Sequence, residues 1–230
     1  NLDDIMARFD SVIGNVMLSD LNSFDSLQSA LDNFSDLPAE AIIKQDVLRE
    51  GLSFSEDSLR IATGYKPKDY FIFSFDLIPI AEMQQNENMR APEEIKISGG
   101  TRQLRDTIIS VRVNPRSPYK VDLKEGKLQL LCLDRPIAEV CYHPVPNFYN
   151  RPLKSGKSMG EIAPVIEWGY LIYLTVYRLC QYFNKEEQCQ FCDLNKNYKQ
   201  QRQAGRAYTG VKSVDEIIEA LSWISEDDEQ

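Results

Sequence analysis

Three closely spaced cysteines are the strongest chemical signal in this chain of 230 residues. Cys180, Cys189 and Cys192 follow the spacing C-x8-C-x2-C. The chain has five cysteines in total and no basic-then-apolar leader, which fits a reducing cytoplasm. In such a compartment, clustered cysteines bind metals more often than they form disulfides. We therefore expect a metal centre in the loop that carries these three residues.

The residues before the first of these cysteines place the loop in the fold. Tyr170 to Val176 is a continuous apolar run, which predicts a strand buried on both faces, as in a parallel sheet. In β/α barrels the chemistry lies at the carboxyl ends of the strands. Three thiolates can hold three corners of a [4Fe–4S] cube, since thiolates are its usual ligands. The fourth iron then stays open for a substrate or cofactor.

This motif resembles that of the radical S-adenosylmethionine (radical SAM) superfamily. The usual motif is C-x3-C-x2-C with an aromatic residue before the last cysteine, and Phe191 has that place here. The first spacing is eight residues instead of three. The resemblance covers about residues 168 to 225 and implies the first β/α unit of a partial TIM-type barrel.

The resemblance also implies a mechanism. Cys180, Cys189 and Cys192 would hold the [4Fe–4S] cluster, and its open iron would take the amino and carboxylate groups of SAM. One electron from a donor such as flavodoxin or ferredoxin would cleave the sulfonium, and the resulting 5′-deoxyadenosyl radical would abstract hydrogen from a small-molecule or peptide substrate. Phe191 would lie against the adenine. The resemblance does not name the substrate or the catalytic residues.

A structural zinc site is the alternative interpretation. Cys189 and Cys192 have the spacing of a zinc knuckle, and Cys180 with Cys141 or His143 would complete four ligands. The chain would then be a binding module without catalysis. His143 is the only histidine, and either a pocket-closing or proton-transfer role or a structural hydrogen bond suits it.

The remaining patterns predict the elements that position the loop. Residues 1 to 63 read as helices, including an apolar face from Leu2 to Met17 and a helix that Pro38 opens and Gly51 ends. Residues 69 to 142 read as a mostly antiparallel sheet packed on them, with a strand at Tyr70–Ile80 and a hairpin turn at 124–127. These form an accessory domain, 1–142. A proline-rich connector without regular structure follows at 143–164, and then the start of the barrel at 165–230. The predicted fold class is α/β.

Two shorter segments carry further expectations. Ser213 to Glu216 is a capping box that opens an amphipathic helix. In the long first cysteine gap, we expect Tyr182 and Phe183 to turn inward and the charged residues 185–187 to form an exposed turn. Cys132 lies in a strand pattern and is expected to be a buried small hydrophobe.

Composition excludes several function classes. The formal net charge of −9 argues against nonspecific nucleic-acid binding, which depends on neutralising phosphates. No apolar run is long enough to span a membrane. The chain begins with Asn1 and ends in an acidic stretch, so we expect a fragment of a longer cytoplasmic protein that lacks most of the SAM pocket.

Overall fold

The computed structural model describes residues 24–68, 90–177, 180–183, 185–189, 192, 194, 198 and 210–227. The helices are α1 (Phe24–Asn33), α2 (Ala39–Glu50), α3 (Glu56–Ala62), α4 (Met159–Ile162) and α5 (Val214–Asp227). The strands are β1 (Ser53–Phe54), β2 (Glu94–Gly99), β3 (Leu104–Ser110), β4 (Tyr119–Lys124), β5 (Lys127–Cys132), β6 (Arg135–Tyr142), β7 (Val165–Ile166) and β8 (Leu171–Ile172). The apolar face predicted for Leu2–Met17 and the strand predicted for Tyr70–Ile80 lie outside the described residues.

A six-stranded sheet in the order β1-β4-β5-β6-β2-β3 is the main scaffold. Its pairs are antiparallel except for β1, which runs parallel to β4. The predicted hairpin turn between β4 and β5 is present, with Glu125 and Gly126 at φ of 51° and 79°. Positive φ at both central residues is what a tight two-residue hairpin requires. The α/β class and the mostly antiparallel sheet are thus confirmed at this level.

The first hydrophobic core lies between this sheet and the helices that precede it. Ile43 and Val47 of α2 are buried against the sheet, whose own contribution includes Ile95, Ile109 and Leu130. The ends of α2 were predictable, because Pro38 precedes its first turn and Gly51, at φ 77°, ends it. The helices predicted before the sheet therefore pack on it as expected wherever the structure describes them.

A second core joins the proline-rich segment to the C-terminal helix. Leu153, Met159 and Ile162 pack with Ala220 and Ile224 of α5. The prediction that 143–164 lacks regular structure is wrong, because α4 forms there. Ser158 and Glu161 make a complete capping box, which supplies partners for the first backbone N–H groups of this short helix.

The segment after Gly169 also differs from its prediction. Only Leu171 and Ile172 form a strand, and they pair antiparallel with β7. Tyr170 is 84% exposed and Leu171 53% exposed, so the expected strand buried on both faces is absent from this part of the described chain. A sharp turn ending at Gly169 folds the run back on β7, which makes it the outer arm of a hairpin and not a central strand.

Helix α5 begins at the predicted capping box. The backbone N–H of Glu216 donates to Ser213 Oγ at 3.2 Å, and that of Ser213 donates to the Glu216 carboxylate at 3.0 Å. The predicted apolar face is split in two: Ile217 and Ile224 turn toward the second core. Other apolar residues of the helix are exposed, namely Val214, Ile218 and Leu221. Within the described residues, no helix is both long and apolar enough to cross a membrane.

Acid should weaken the second core through Glu216. The hydrogen bond from Lys157 and that from the Ser213 backbone lower the pKa of Glu216 from 4.5 to about 2. A carboxyl whose pKa is lower in the folded chain adds stability above pH 4.5 that is lost as the pH falls toward 2. We expect Glu216→Gln to flatten the pH dependence of unfolding in this window, measured by urea titration. The exposed Asp215→Asn is the control, and equal flattening by both would contradict the assignment.

Candidate functional site

The three cysteines of the predicted metal centre are free thiols on one surface loop. Cys189 is exposed, while Cys180 and Cys192 are half-buried. The backbone N–H of Tyr182 lies 3.4 Å from Cys180 Sγ, and that of Cys192 donates to the Cys189 carbonyl at 3.2 Å. A hydrogen bond to sulfur stabilises a thiolate, and such bonds tune iron–sulfur sites. The donor types therefore fit an iron–sulfur cluster or zinc.

The structure does not gather these sulfurs around a common point. Within the described residues, no three side chains of His, Cys, Asp or Glu are placed to hold one metal ion. Phe191, the residue expected against the adenine of SAM, lies outside the described residues. The assignment of Cys180, Cys189 and Cys192 as metal ligands stays a prediction. Metal binding requires their sulfur atoms to come closer together than they are here.

The long gap between the first two cysteines partly follows its prediction. Lys185, Glu186 and Glu187 are exposed, as expected for a charged turn. Phe183 is half-buried, with its ring centroid 6.2 Å from that of Tyr198. Tyr182 is 41% exposed, so the prediction that it turns inward is wrong. Its backbone N–H, and not its ring, makes the contact with Cys180 Sγ.

The base of the cysteine loop is closed by backbone contacts. Tyr177 forms an antiparallel bridge with Val211, and the Lys212 N–H donates to the Val176 carbonyl at 3.0 Å. Lys212 is itself 3% exposed, and its Nζ donates to the Ile162 carbonyl. The segment before the cysteines and the residues before α5 are therefore tied to each other and to the second core.

A left-handed turn precedes this segment and is held by a buried carboxylate. Glu167, Trp168 and Gly169 have φ of 52°, 58° and 90°. The N–H groups of Glu167 and Trp168 donate to Glu94 Oε1 and Oε2 at 2.8 and 2.9 Å, and Glu94 is 3% exposed. The left-handed conformation costs about 1–2 kcal/mol for each non-glycine residue. Two hydrogen bonds to a charged group, at about 1.5–3 kcal/mol each, offset that cost.

His143 packs against the same turn. Its Nδ1 donates to the Pro144 carbonyl, because a carbonyl oxygen can only accept. Within the described residues the buried Nε2 has no hydrogen-bond partner. The imidazole lies 5.0 Å from the Trp168 ring, and a Cβ at Gly169 would lie 3.6 Å from Nε2. His143 is therefore part of the packing around the turn, in keeping with the structural interpretation of this residue.

A buried group of charges adjoins the turn. Lys66 Nζ lies 2.6 Å from the Glu93 carboxylate, and Lys68 Nζ donates to the Val111 carbonyl at 2.8 Å. A small cavity of about 60 Å³ is lined by Lys68, Glu93, Glu94, Ser110, Val111, Ile166 and Glu167. Sequence reasoning missed these residues, because lysine and glutamate are rarely buried unless they are paired. The only sequence signal was the acidic pair Glu93 and Glu94 at the start of a strand.

The other two cysteines differ in environment. Cys132 is buried, as predicted, and burial raises the pKa of its thiol to about 11. Cys141 is exposed on β6, opposite Lys96 of β2. Both residues can therefore serve as internal references when the reactivity of the loop cysteines is measured.

Comparison of the chain with models of known protein families, with curated proteins and with solved structures finds no match.

Proposed function

We propose that this chain is the N-terminal part of a radical SAM enzyme, with Cys180, Cys189 and Cys192 as the ligands of a [4Fe–4S] cluster. The observation that carries the proposal is that all three are free thiols on a single surface loop. Thiolates supplied by one short loop can converge on a cube whose fourth iron remains open. The motif, with Phe191 directly before the last cysteine, favours this cluster over zinc.

Exposed apolar side chains on both sides of the cysteine loop support the proposal that further β/α units pack there. Successive side chains of a strand point to opposite faces, and Tyr170 through Tyr173 are all exposed, so both faces of this segment lack cover. The outer apolar residues of α5, Val214, Ile218 and Leu221, are exposed as well. Exposed apolar surface of this extent is typical of interaction sites. Further strands and helices of a partial barrel would cover it.

The roles of the chain's own residues follow from their places. The three thiolates would hold the cluster, with the Tyr182 N–H donating to Cys180, and Phe191 would lie against the adenine of SAM. When bound, the cluster supplies the electron that cleaves the SAM sulfonium. The proposal includes a flavodoxin or ferredoxin as donor, a cytoplasmic location and a small-molecule or peptide substrate. The cofactor carries the radical chemistry, and the protein positions it.

Anaerobic reconstitution with iron and sulfide tests this proposal. We expect the visible absorption and the reduced-state electron paramagnetic resonance (EPR) signal of a [4Fe–4S] cluster in the wild-type chain. Replacing Cys180, Cys189 or Cys192 with alanine should abolish both signals, because a cluster held by three ligands loses a corner. Cys141→Ala is the matched control, since this exposed cysteine lies on β6 and should leave the signals unchanged.

The same preparation separates the cluster from zinc. Stoichiometric zinc that survives air, with no iron–sulfur signal after reconstitution, would contradict the proposal. Loss of that zinc in Cys141→Ser or His143→Ala would identify the fourth ligand of the alternative site. Retention of zinc in both variants would exclude Cys141 and His143 as that ligand.

A further inference from the structure

We propose that Glu94 is a positioning residue for the cysteine loop: its carboxylate fixes the left-handed turn Glu167–Gly169 and thereby the place of Cys180. The inference deepens the proposed function and rests on it only for the part that concerns the cluster. Its starting point is the pair of hydrogen bonds, 2.8 and 2.9 Å long, from two successive backbone N–H groups to the two oxygens of one buried side chain.

The hairpin beyond the turn is short and has few contacts that fix its register. β7 and β8 pair at two positions, Val165 with Ile172 and Ile166 with Leu171, and the Tyr173 N–H donates to the Pro164 carbonyl at 2.8 Å. Register is strongly specified where one face of a strand is buried, because a slip by one residue exchanges the two faces. Leu171 and Ile172 are both exposed, so the nearest residue of this segment that packs against a core is Leu174, beyond the strand. The conformation of the turn therefore contributes to which residues pair.

The turn itself has contacts on several sides. Glu94 accepts from its N–H groups, and the His143 ring lies 5.0 Å from the Trp168 ring at an interplanar angle of 53°. Lys96 Nζ lies 5.6 Å from the centroid of the Trp168 ring. Of these side chains, only Glu94 hydrogen-bonds the backbone of the turn, beside the turn's own bond from the Tyr170 N–H to the Glu167 carbonyl at 3.2 Å. Glu94 and Lys96 of β2, with His143 directly after β6, thus contact the start of the segment that leads to Cys180.

The consequence for Cys180 follows the chain. After β8, the Tyr177–Val211 bridge closes the base of the loop, and Cys180 lies three residues beyond Tyr177. Its sulfur is half-buried beside the Tyr182 N–H. A change of register at β8 displaces this whole stretch relative to Val211. Without the Glu94 carboxylate, Cys180 should therefore become more reactive while the sheet stays folded.

Alkylation rates of individual cysteines test the proposal without any cluster. In Glu94→Gln, one carboxylate oxygen becomes an NH₂ group that cannot accept a hydrogen bond, so one of the two bonds is lost. We expect the alkylation rate of Cys180, followed by peptide mass spectrometry with iodoacetamide, to rise several-fold. The rates of buried Cys132 and exposed Cys141 should not change. Glu94→Asp, which keeps both oxygens, should restore part of the wild-type rate.

Two controls separate positioning from general destabilisation. Glu139→Gln changes an exposed carboxylate on the neighbouring strand β6 and should leave all rates unchanged. In a Trp223→Phe background, acrylamide quenching of Trp168 should increase in Glu94→Gln, because the turn opens. Unchanged Cys180 alkylation in Glu94→Gln would overturn the proposal. A parallel rise at Cys132 would also overturn it, since that pattern means unfolding of the sheet.

A cluster readout distinguishes this proposal from the proposed function. If the wild-type chain takes up the cluster, Glu94→Gln should release iron to a chelator several-fold faster. Equal rates of iron release from the wild-type chain and from Glu94→Gln would overturn the claim that Glu94 positions the cluster ligands. If the wild-type chain takes up no cluster, the proposed function fails, and the alkylation result alone decides whether Glu94 positions Cys180.

Discussion

Glu93→Leu is expected to lower the free energy of unfolding by about 3–5 kcal/mol. The side chains of Lys66 and Glu93 are only 1% and 6% exposed, and their charged atoms are 2.6 Å apart. Without the carboxylate, the Lys66 ammonium stays buried, and its remaining contact among the described residues is the Tyr149 ring, 6.0 Å from Nζ. Breaking a buried pair leaves an uncompensated charge, whereas replacing both partners is often nearly neutral.

Urea unfolding at neutral pH measures this effect in a double-mutant cycle. The variant Lys66→Met/Glu93→Leu should be more stable than Glu93→Leu alone, because the buried Lys66 charge is removed together with its partner. The exposed pair Arg60–Asp57 is the control, and Asp57→Asn should cost less than about 1 kcal/mol. Strictly additive losses at Lys66 and Glu93 would show that the two residues do not stabilise each other.

Gly100→Ala should destabilise the sheet by about 2–5 kcal/mol, the sum of a conformational and a steric cost. Gly100 has φ of 70°, where a side chain is strained. A Cβ at this position would lie only 2.2 Å from the Ile137 carbonyl oxygen, which belongs to the neighbouring strand β6. Because the clash is with backbone, relief requires β2 and β6 to move apart.

Gly126→Ala is the matched control for this variant. Gly126 has φ of 79°, but a Cβ added there would have no atom within 4 Å, so only the conformational cost of about 1–2 kcal/mol applies. Thermal or urea unfolding of both variants separates the two contributions. Equal losses of unfolding free energy in Gly100→Ala and Gly126→Ala would show that the clash with the Ile137 carbonyl adds no cost.

The features that the sequence predicted correctly depend on residues close together along the chain. Pro38 and Gly51 mark the ends of α2, and Ser213 with Glu216 marks the start of α5. Each signal acts within one helical turn, so no knowledge of the fold is needed to interpret it. The hairpin turn at Gly126 belongs to the same class.

The failed predictions concern partners that are distant in sequence. The run from Tyr170 is as apolar as a buried strand, but its burial depends on what lies across from it, and a turn directs it outward. Glu94 binds a turn that is 73 and 74 positions away, which no local pattern reveals. For the candidate site, the spacing of the cysteines along the sequence identified Cys180, Cys189 and Cys192 as a group. Their arrangement in space depends on contacts that spacing does not contain.

Trp168 contacts two segments that are distant in sequence, Glu94 of β2 and His143 after β6, and this constrains the order in which the chain folds. β4, β5 and β6 are joined by tight turns and can pair early, since short loops close at little entropic cost. The pairing of β2 with β6 joins Ile95 to Tyr142, about 50 positions apart, and must close a much longer loop. Glu94 and His143 come together around Trp168 only once this seam has formed. The cysteine segment therefore gains its anchor late in folding.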